Sequence, residues 1–243
     1  MKILNDLLSS LKGNDLQVKG VHACVFWTAV VTHHCGLSST FRKEGPSHDR
    51  GVRDVGHLTQ KAALELAGYS RSESLLEASI GMATINSLID VDESQCVQKN
   101  AFEIILEKGE GKHVAVVGHF PWIPELRKRI KNFWVLEQRL QEGDLPAEEA
   151  ERILPQCDVV GITGTSFINH TLDHLLGLCE KAFVVLIGPT APLSSVLFDH
   201  GIDAICGSRV VDAEAVIRSI SEGATFREVP GVRLLALAKT SSG

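Results

Sequence analysis

Polar, glycine-rich and proline-rich clusters follow each buried strand that the second half of the chain predicts. Core packing does not need these clusters, which are found at 118–121, 137, 163–166, 169, 188–192 and 207–209. The carboxyl ends of parallel strands share one edge of an open sheet, and ligands bind in the crevice along that edge. We therefore expect the loops to converge on one site. The alternative is that glycine and proline form the turns while threonine and serine cap the helices.

Imidazole and carboxylate groups in these loops indicate metal ligation as one possible chemistry. His119 and Glu137 lie in the loops and Asp144 lies just after them. Both group types are common ligands of first-row transition metals. His119 follows the first strand of the predicted sheet, a position that suits a ligand or an acid–base group. We predict His119 and Glu137 as metal ligands, although their spacing is not diagnostic.

Two of the loops lead directly into predicted helices, 163–165 before a helix near Thr171 and 188–190 before a helix near Leu193. The amino terminus of a helix presents free N–H groups and a partial positive charge. Such ends favour anionic groups on a ligand. The two loops therefore predict an anion-binding site.

Dinucleotide binding is disfavoured by the first loop. Glu137 lies nineteen positions after Gly118, where a Rossmann site would place its ribose-binding acid. However, the loop reads Val-Gly-His-Phe-Pro and has one of the three glycines that close approach of a pyrophosphate needs. The sequence also contains no Gly-Lys-Ser/Thr triplet of a phosphate-binding loop and no G-x-S-x-G nucleophile elbow.

The triplet His33-His34-Cys35 is a second group of potential ligands. Neighbouring residues of a strand point to opposite faces, so we expect His33 and Cys35 on one side and His34 on the other. Neither H-E-x-x-H nor paired-cysteine spacing supports a metal site, and we favour a structural role. The six cysteines are far apart and embedded in apolar sequence, as expected for small core residues rather than disulfides.

An α/β fold in two domains is predicted, 1–99 and 100–243, because 243 residues exceed the length of most single domains. The first domain has an α+β pattern. Its predicted elements are a helix at 3–11, an antiparallel meander over 18–41, a mobile loop at 42–57 and helices at 58–67 and 72–89, the last capped by Ser72.

The second domain alternates short apolar runs with helical patterns, which is typical of a parallel sheet covered by helices. The predicted strands are 113–117, 133–136, 158–162, 183–187 and 204–206, with 232–238 as a final edge strand. The predicted helices are 121–131, 147–154, 171–179, 193–200 and 212–222.

Charge and hydropathy limit the classes of partner that we expect this protein to bind. The chain has 24 basic and 30 acidic residues, a formal charge of −6, and no basic run, so we expect no nucleic-acid partner. The longest uncharged stretches, 21–41 and 182–198, are interrupted by histidine or by glycine and proline, so we expect no membrane partner. The first eleven residues lack a secretory pattern, which predicts a cytoplasmic location. The oligomeric state is open, a homo-oligomer included.

The order of motifs along the chain is similar to that of a known family. The motifs are E-A-S-I-G-M-A-T-I-N at 77–86, V-V-G-H-F-P at 116–121, Glu137, G-D-L-P at 143–146, T-G-T at 163–165, Asn169 and G-P-T-A-P-L at 188–193. Together they resemble the putative heavy-metal-chelation domain family over nearly the whole chain. The resemblance implies an enolase-amino-terminal-like domain, then a Rossmann-like domain, with the ligand site in the cleft between them.

The resemblance further implies that the cleft binds a heavy metal or a small anionic, metal-chelating ligand, with a transition or heavy-metal ion as the cofactor. In the second domain it implies the cleft residues Gly118, His119, Phe120, Glu137, Asp144, Thr163, Gly164, Thr165, Asn169, Gly188, Pro189 and Thr190. In the first domain it adds Trp27, Thr28, Glu77, Ser79 and Asn86. The alternative is an enzyme acting on a nucleotide-like or cofactor-precursor substrate at the same cleft, which Glu137 and the T-G-T loop suggest.

Glu77 and Asn86 are nine residues apart on one predicted helix. That spacing is two and a half helical turns, so the two side chains lie on opposite faces. We therefore expect at most one of them to point squarely into the cleft.

Overall fold

Two β-sheets organise the chain in the computed structural model, which describes residues 1–13, 16–41, 51–97 and 99–239. The first sheet has three antiparallel strands and the second has eight strands, most of them parallel. This mixed α/β architecture confirms the predicted fold class. The predicted mobile loop lies outside the described residues from 42 to 50.

The first part of the chain packs helices against the small sheet. Its elements are α1 Lys2–Ser10, β1 Gly20–Ala23, β2 Trp27–Val31, β3 Cys35–Ser39, α2 Ala63–Ala67 and α3 Leu75–Leu88. Helix α1 buries Ile3, Leu4, Leu7 and Leu8, which form one apolar stripe at helical spacing. Helix α3 is buried on nearly all sides, as its run of alanine, serine, isoleucine and glycine permits. It lies against β2 and β3 and forms the centre of this part.

Two predicted helices in this part differ from the structure. Helix α3 begins after Ser74 rather than Ser72, and the Ser72 hydroxyl accepts a hydrogen bond from the Ser74 N–H instead of capping the helix. The helix predicted at 58–67 is divided into a 3-10 turn, Leu58–Gln60, and α2. The division arises because the Ala63 N–H bonds to the carbonyl of Leu16, which holds the preceding backbone extended.

The large sheet contains β4 Cys96–Val97, β5 His113–Val117, β6 Asn132–Glu137, β7 Leu145–Pro146, β8 Val159–Thr163, β9 Phe183–Ile187, β10 Ala204–Val210 and β11 Val232–Ala238. Their order is β4-β11-β10-β9-β8-β5-β6-β7. Strands β5 to β10 run parallel, while β11 and β4 are antiparallel additions. The prediction of 232–238 as an edge strand is wrong, because β4 pairs with its outer side.

The strand order reverses between β5 and β8. From β5 the chain moves outwards to β6 and β7, then returns to the other side of β5 to form β8 and β9. Loops that leave neighbouring strands in opposite directions open a crevice at the carboxyl ends of those strands. The loops after β5 and β8 therefore border the crevice.

The large sheet is covered on both faces by α4 Ala101–Gly109, α5 Ile123–Arg129, α6 Ala150–Ile153, α7 Leu172–Gly177, α8 Ala213–Ser221 and short 3-10 turns. On β5, Val114 and Val116 face the core beneath α4 and α5, while Ala115 faces the core shared with the first part. Such double burial explains why the central strands read as continuous apolar runs.

Helix prediction was wrong at one segment and missed another. The segment 193–200 forms a 3-10 helix, Ser195–His200, which ends at Gly201 in a left-handed conformation. Helix α4 was not predicted, although Asn100 and Glu103 form a reciprocal capping box at its start.

The domain division at residue 99 stays a prediction. In the described part of the chain, the helices are too short or too polar to cross a bilayer.

Candidate functional site

A cleft of about 2610 Å³ lies at the carboxyl ends of the parallel strands, opposite the β1–β2 turn and the end of β3. Of the predicted site residues, those lining it are Trp27, Gly118, His119, Phe120, Glu137, Thr163, Thr165, Asn169, Gly188, Pro189 and Thr190. Thr28, Glu77, Asp144 and Gly164 lie behind the lining, as do Ser79 and Asn86. The structure thus brings most of the predicted loops together, and their role in ligand binding stays a prediction.

The side chain of His119 is held from behind by a buried carboxylate. Its Nδ1 lies 2.8 Å from Oδ2 of Asp144, whose side chain is fully buried. Oδ1 of Asp144 accepts a hydrogen bond of 2.7 Å from the guanidinium of Arg127. The Gln141 N–H donates a further hydrogen bond of 3.1 Å to Oδ2. Asp144 therefore accepts from three donors.

These contacts fix the tautomer of His119. A carboxylate paired with arginine is ionised and can only accept hydrogen bonds. Nδ1 of His119 must therefore carry a hydrogen, and in the neutral ring Nε2 keeps its lone pair. Because the ring lines the cleft, Nε2 is available to a metal ion or to a proton on a ligand.

Glu137 has its oxygens engaged with backbone. Its Oε2 accepts from the His119 N–H at 2.9 Å, and its Oε1 accepts from the N–H groups of Gln138 and Arg139 at 2.7 and 3.2 Å. The carboxylate therefore ties the loop after β5 to the end of β6. Ligation of a metal by Glu137 stays a prediction, and it would compete with these three hydrogen bonds.

Gly118 allows the loop after β5 to approach the loop after β8. Its φ is +104°, a conformation that side chains rarely adopt, and a Cβ there would lie 3.0 Å from Cβ of Thr163. The close approach places the backbone of Gly118 against the Thr163 side chain at the switch point of the sheet.

The loop after β8 supplies hydroxyl and amide groups. The hydroxyls of Thr163 and Thr165 are 3.0 Å apart, and Asn169 accepts from the N–H and hydroxyl of Thr171 through Oδ1. No hydrogen bond from the Asn169 amide nitrogen joins it to another described residue, and the side chain lines the cleft. These groups can donate to an anion.

The helix predicted near Thr171 is confirmed as α7, but the prediction that the two loops lead directly into helices is wrong. A 3-10 turn, Gly164–Phe167, follows β8, and an extended segment separates Thr190 from the 3-10 helix Ser195–His200. Serine, threonine and proline make tight turns here that compete with the α-helix. The helix-dipole argument for an anion site is therefore not supported. The anion site stays a prediction, which now depends on side-chain hydrogen-bond donors.

The loop after β9 joins the two sheets. Oγ1 of Thr190 accepts from the Ser39 N–H at 3.0 Å, and the Asn86 amide donates to the carbonyls of Leu37, Pro189 and Thr190 at 2.8 to 3.3 Å. Asn86 thus connects α3 to β3 and to this loop, and it does not line the cleft.

Gly164 brings the loops after β8 and β9 into contact. A Cβ there would lie 2.5 Å from the backbone nitrogen of Ala191, a distance that real Cβ atoms do not adopt. Gly164 therefore shapes the wall of the cleft through packing, without lining it.

Two predicted residues of the first part, Thr28 and Ser79, have structural contacts. The Thr28 hydroxyl is fully buried and lies 2.8 Å from that of Thr40. The Ser79 hydroxyl accepts from the Phe41 N–H and donates to the carbonyl of Leu75. These contacts hold Thr40 and Phe41, which line the cleft, against the small sheet and α3.

Glu77 binds Arg53, away from the cleft. Its carboxylate accepts from the backbone N–H of Arg53 at 2.8 Å and from the guanidinium at 2.9 and 3.1 Å. Burial acts to raise the pKa of Glu77, but hydrogen bonds from Ser72 and from Arg53 outweigh it and hold the pKa below its ordinary 4.5. Arg53 also stacks over the ring of Tyr69, 4.5 Å from its centroid. Glu77 thus anchors the segment that follows residue 50.

Glu77→Gln is expected to lower the free energy of unfolding by about 1–3 kcal/mol near neutral pH, because buried donors lose their charged acceptor. A carboxyl whose pKa is lowered in the folded state stabilises it above the unfolded value and loses that effect as pH falls through the folded pKa. The difference in Tm between wild type and variant should therefore shrink below pH 4.5. Thermal unfolding followed by circular dichroism measures it, with exposed Glu73→Gln as the control. A difference independent of pH would contradict this account.

Two functional candidates were missed by sequence reasoning. Trp122 stacks parallel to Phe120 with ring centroids 4.9 Å apart, and both line the cleft. A second aromatic residue two positions after Phe120 was the feature of the sequence that could have indicated this pair. Arg127 gave no signal, because its distance of seventeen positions from Asp144 does not reveal their contact.

The prediction that His33 and His34 point to opposite sides is wrong. They lie in the turn between β2 and β3, where strand alternation does not apply, and their ring centroids are 4.5 Å apart. Cys35 begins β3 and is buried, and burial raises its pKa to about 12. Burial likewise raises the pKa of Cys206, at the back of the cleft, to about 12. In the absence of a metal, both cysteines therefore carry protonated thiols at neutral pH.

Two family models match the chain. One, DUF364, described as putative heavy-metal chelation, matches residues 100–239, and another of the same description, DUF4213, matches residues 4–89. An uncharacterized protein of Methanocaldococcus jannaschii is 29% identical over 161 residues, which are 63% of this chain. That match spans 62% of the relative, less than two thirds of its length.

Two crystal structures have a similar fold. A protein with unknown function from the DUF364 family of Desulfitobacterium hafniense is 27% identical, with a TM-score of 0.87 over 98% of both chains. One from the same family of Pyrococcus horikoshii is 17% identical, with a TM-score of 0.85 over 98% of this chain and 100% of that one. At its lower identity the second supports the fold alone.

Proposed function

The chain belongs to the DUF364 family of putative heavy-metal chelation, and we propose that its cleft binds a metal ion carried by a small anionic chelator. The metal is cargo, and Nε2 of His119 is the protein ligand that completes its coordination. The observation that carries the proposal is the 2.8 Å contact between Nδ1 of His119 and buried Asp144. Histidine ligands of metals usually donate their second nitrogen in this way, which raises their basicity and fixes the ring.

The composition of the cleft favours a chelate over a bare ion. A structural or catalytic zinc site needs at least three protein ligands. Within the described residues, a group of three suitable atoms lies at His33, His34 and Asp90, and the cleft contains none. One imidazole binds a metal weakly unless a small molecule supplies the other ligands. A chelator would supply them.

The remaining cleft groups suit the organic part of such a chelate. The amide of Asn169 and the hydroxyls of Thr163 and Thr165 can donate to carboxylate oxygens. The stacked pair Phe120 and Trp122 offers an apolar wall. Together with His119 they provide one metal ligand, several donors and one flat surface.

Isothermal titration with Ni²⁺–nitrilotriacetate tests the proposal. The chelator leaves two coordination positions on nickel free, so His119 can occupy one of them. We expect the complex to bind one site of the cleft at least about 10-fold more tightly than nitrilotriacetate without metal, since the ligand bond adds to the anion contacts. The double variant His33→Ala/His34→Ala should be used to remove the exposed imidazole pair. Equal binding of the metal-free chelator would contradict the proposal.

A second candidate is an enzyme acting on a nucleotide-like or cofactor-precursor substrate. The contact between His119 and Asp144 favours this candidate as well. In the pair formed by His119 and Asp144, Nε2 can accept a proton as a general base. Phe120 and Trp122 could stack against a heterocycle. A thermal-shift series with nucleotides and S-adenosyl compounds separates the candidates, because a bound ligand stabilises the native state. Stabilisation without metal would favour the enzyme.

A further inference from the structure

His33, His34 and Asp90 form a cluster at the far end of the small sheet. His33 and His34 lie in the β2–β3 turn, and Asp90 lies two residues beyond the end of α3. One donor atom from each lies within 4.8 Å of the others. The turn is closed by a hydrogen bond of 2.8 Å from the Thr32 N–H to the His34 carbonyl.

The cluster is held in place by the end of α3. The buried hydroxyl of Thr32 donates to the carbonyl of Ser87 at 2.9 Å and lies 3.0 Å from its hydroxyl. This contact fixes the turn against the last turn of the helix that precedes Asp90. The buried contact therefore helps to hold the turn beside Asp90.

The spacing of the cluster suits a tetrahedral ion. Nε2 of His34 and Oδ1 of Asp90 are 2.6 Å apart, and the rings of His33 and His34 are tilted by 59°. Around an ion with bonds of about 2.0–2.1 Å, neighbouring ligand atoms lie roughly 3.3 Å apart. An ion could thus enter if the pair parts by less than about 1 Å, a movement that the exposed Asp90 side chain allows.

The charges around the cluster favour a cation. Asp90 contributes the carboxylate of the cluster, and its side chain is largely exposed. Arg209 is the cation near Asp90, and its guanidinium is 2.9 Å from a carboxylate oxygen of Glu93. Two imidazoles and a carboxylate are ligands that zinc, cobalt and nickel accept.

We propose that His33, His34 and Asp90 bind a divalent transition-metal ion, with water at the remaining position. None of these three residues lines the cleft, although Glu93, three residues after Asp90, does. Ser39, at the other end of β3, lines the cleft and lies five positions after His34, about 16 Å along an extended strand. The proposal does not rest on the function proposed for the cleft.

Titration of the full chain with Co²⁺ tests the site, because the d–d absorption of cobalt reports the number and type of its ligands. We expect a tetrahedral spectrum and one ion bound per chain at this site. His33→Ala and Asp90→Asn each remove a proposed ligand and should weaken binding by at least about 10- to 100-fold, the cost of losing a residue that only supports a ligand. Asp90→Asn preserves the shape of the side chain. His22→Ala, which removes an imidazole from β1, should leave the spectrum unchanged.

Two results would overturn the proposal. One is a wild-type protein that shows no cobalt spectrum at concentrations that saturate other His₂-carboxylate sites. The other is an unchanged affinity in both His33→Ala and Asp90→Asn while circular dichroism shows that the variants are folded. A loss in His119→Ala alone would place the ion in the cleft and would equally contradict a site at the turn.

Discussion

His119→Ala is expected to reduce the affinity of the cleft for Ni²⁺–nitrilotriacetate by about 100-fold or more. Removing a residue that only supports a metal ligand costs about 10–100-fold, and removing the ligand itself should cost at least as much. The ring makes its polar contact through Nδ1 with Asp144, so its loss removes the metal bond at Nε2 with little other change to the lining. Isothermal titration measures the effect.

A matched control is available for this variant. His174 also lines the cleft, but it is largely exposed and pairs with Glu151 on the surface. His174→Ala should retain wild-type affinity. If the two variants bind the nickel chelate equally well, the metal is not bound by His119. If His119→Ala loses affinity for the metal-free chelator to the same extent, the ring contacts the anion rather than the metal.

Asp144→Ala is expected to affect both stability and binding. The carboxylate is fully buried between His119 and Arg127, and removal of one partner from a buried ion pair costs about 3–5 kcal/mol. Because Arg127 is itself partly exposed, we expect a value near the lower end, about 3 kcal/mol. For a chain of this size that corresponds to a fall in Tm of roughly 6–12 °C.

The same variant should weaken binding of the nickel chelate by about 10–100-fold, since His119 loses the partner that fixes its tautomer. Glu125→Ala, which removes an exposed acid from α5, is the control and should change stability by less than about 1 kcal/mol. Calorimetric unfolding and titration measure the two effects. Asp144→Asn keeps the shape but not the charge, and a variant of this kind with wild-type affinity would show that the carboxylate is not needed for binding.

The architecture of the large sheet was predictable because its strands are buried on both faces. Strands β5, β9 and β11 were predicted with the bounds that the structure has, since each is an apolar run ended by charged or glycine residues. Strands β4 and β7 have two residues each, too few for a hydrophobic period to be recognised. Their absence from the prediction also made β11 look like an edge.

Short 3-10 segments were the main source of error in the helices. The pattern of Leu193, Val196 and Leu197 fits a helical period, but Gly201 ends the segment after less than two α-helical turns. At that length periodicity does not separate a 3-10 from an α-helix, because both place apolar residues three or four positions apart. The anion site expected from helix dipoles depended on that distinction.

The location of the cleft was predictable, whereas its chemistry was only partly so. Strand ends indicated the loops that contain His119, Thr165 and Asn169, because parallel strands bring their carboxyl ends together. The sequence could not separate a carboxylate that faces ligand from one that holds backbone, and Glu137 and Glu77 are both held by protein N–H groups. Nor could it reveal the partners of Asp144, which depend on tertiary packing.

The measurement that tests the central claim most directly is nickel K-edge X-ray absorption of the protein loaded with Ni²⁺–nitrilotriacetate. The His33→Ala/His34→Ala background removes the imidazoles of the turn. We predict scattering from one imidazole in addition to the chelator, and its loss in the variant that also carries His119→Ala. A spectrum without imidazole scattering, or one that His119→Ala leaves unchanged, would contradict binding of a metal chelate by this residue.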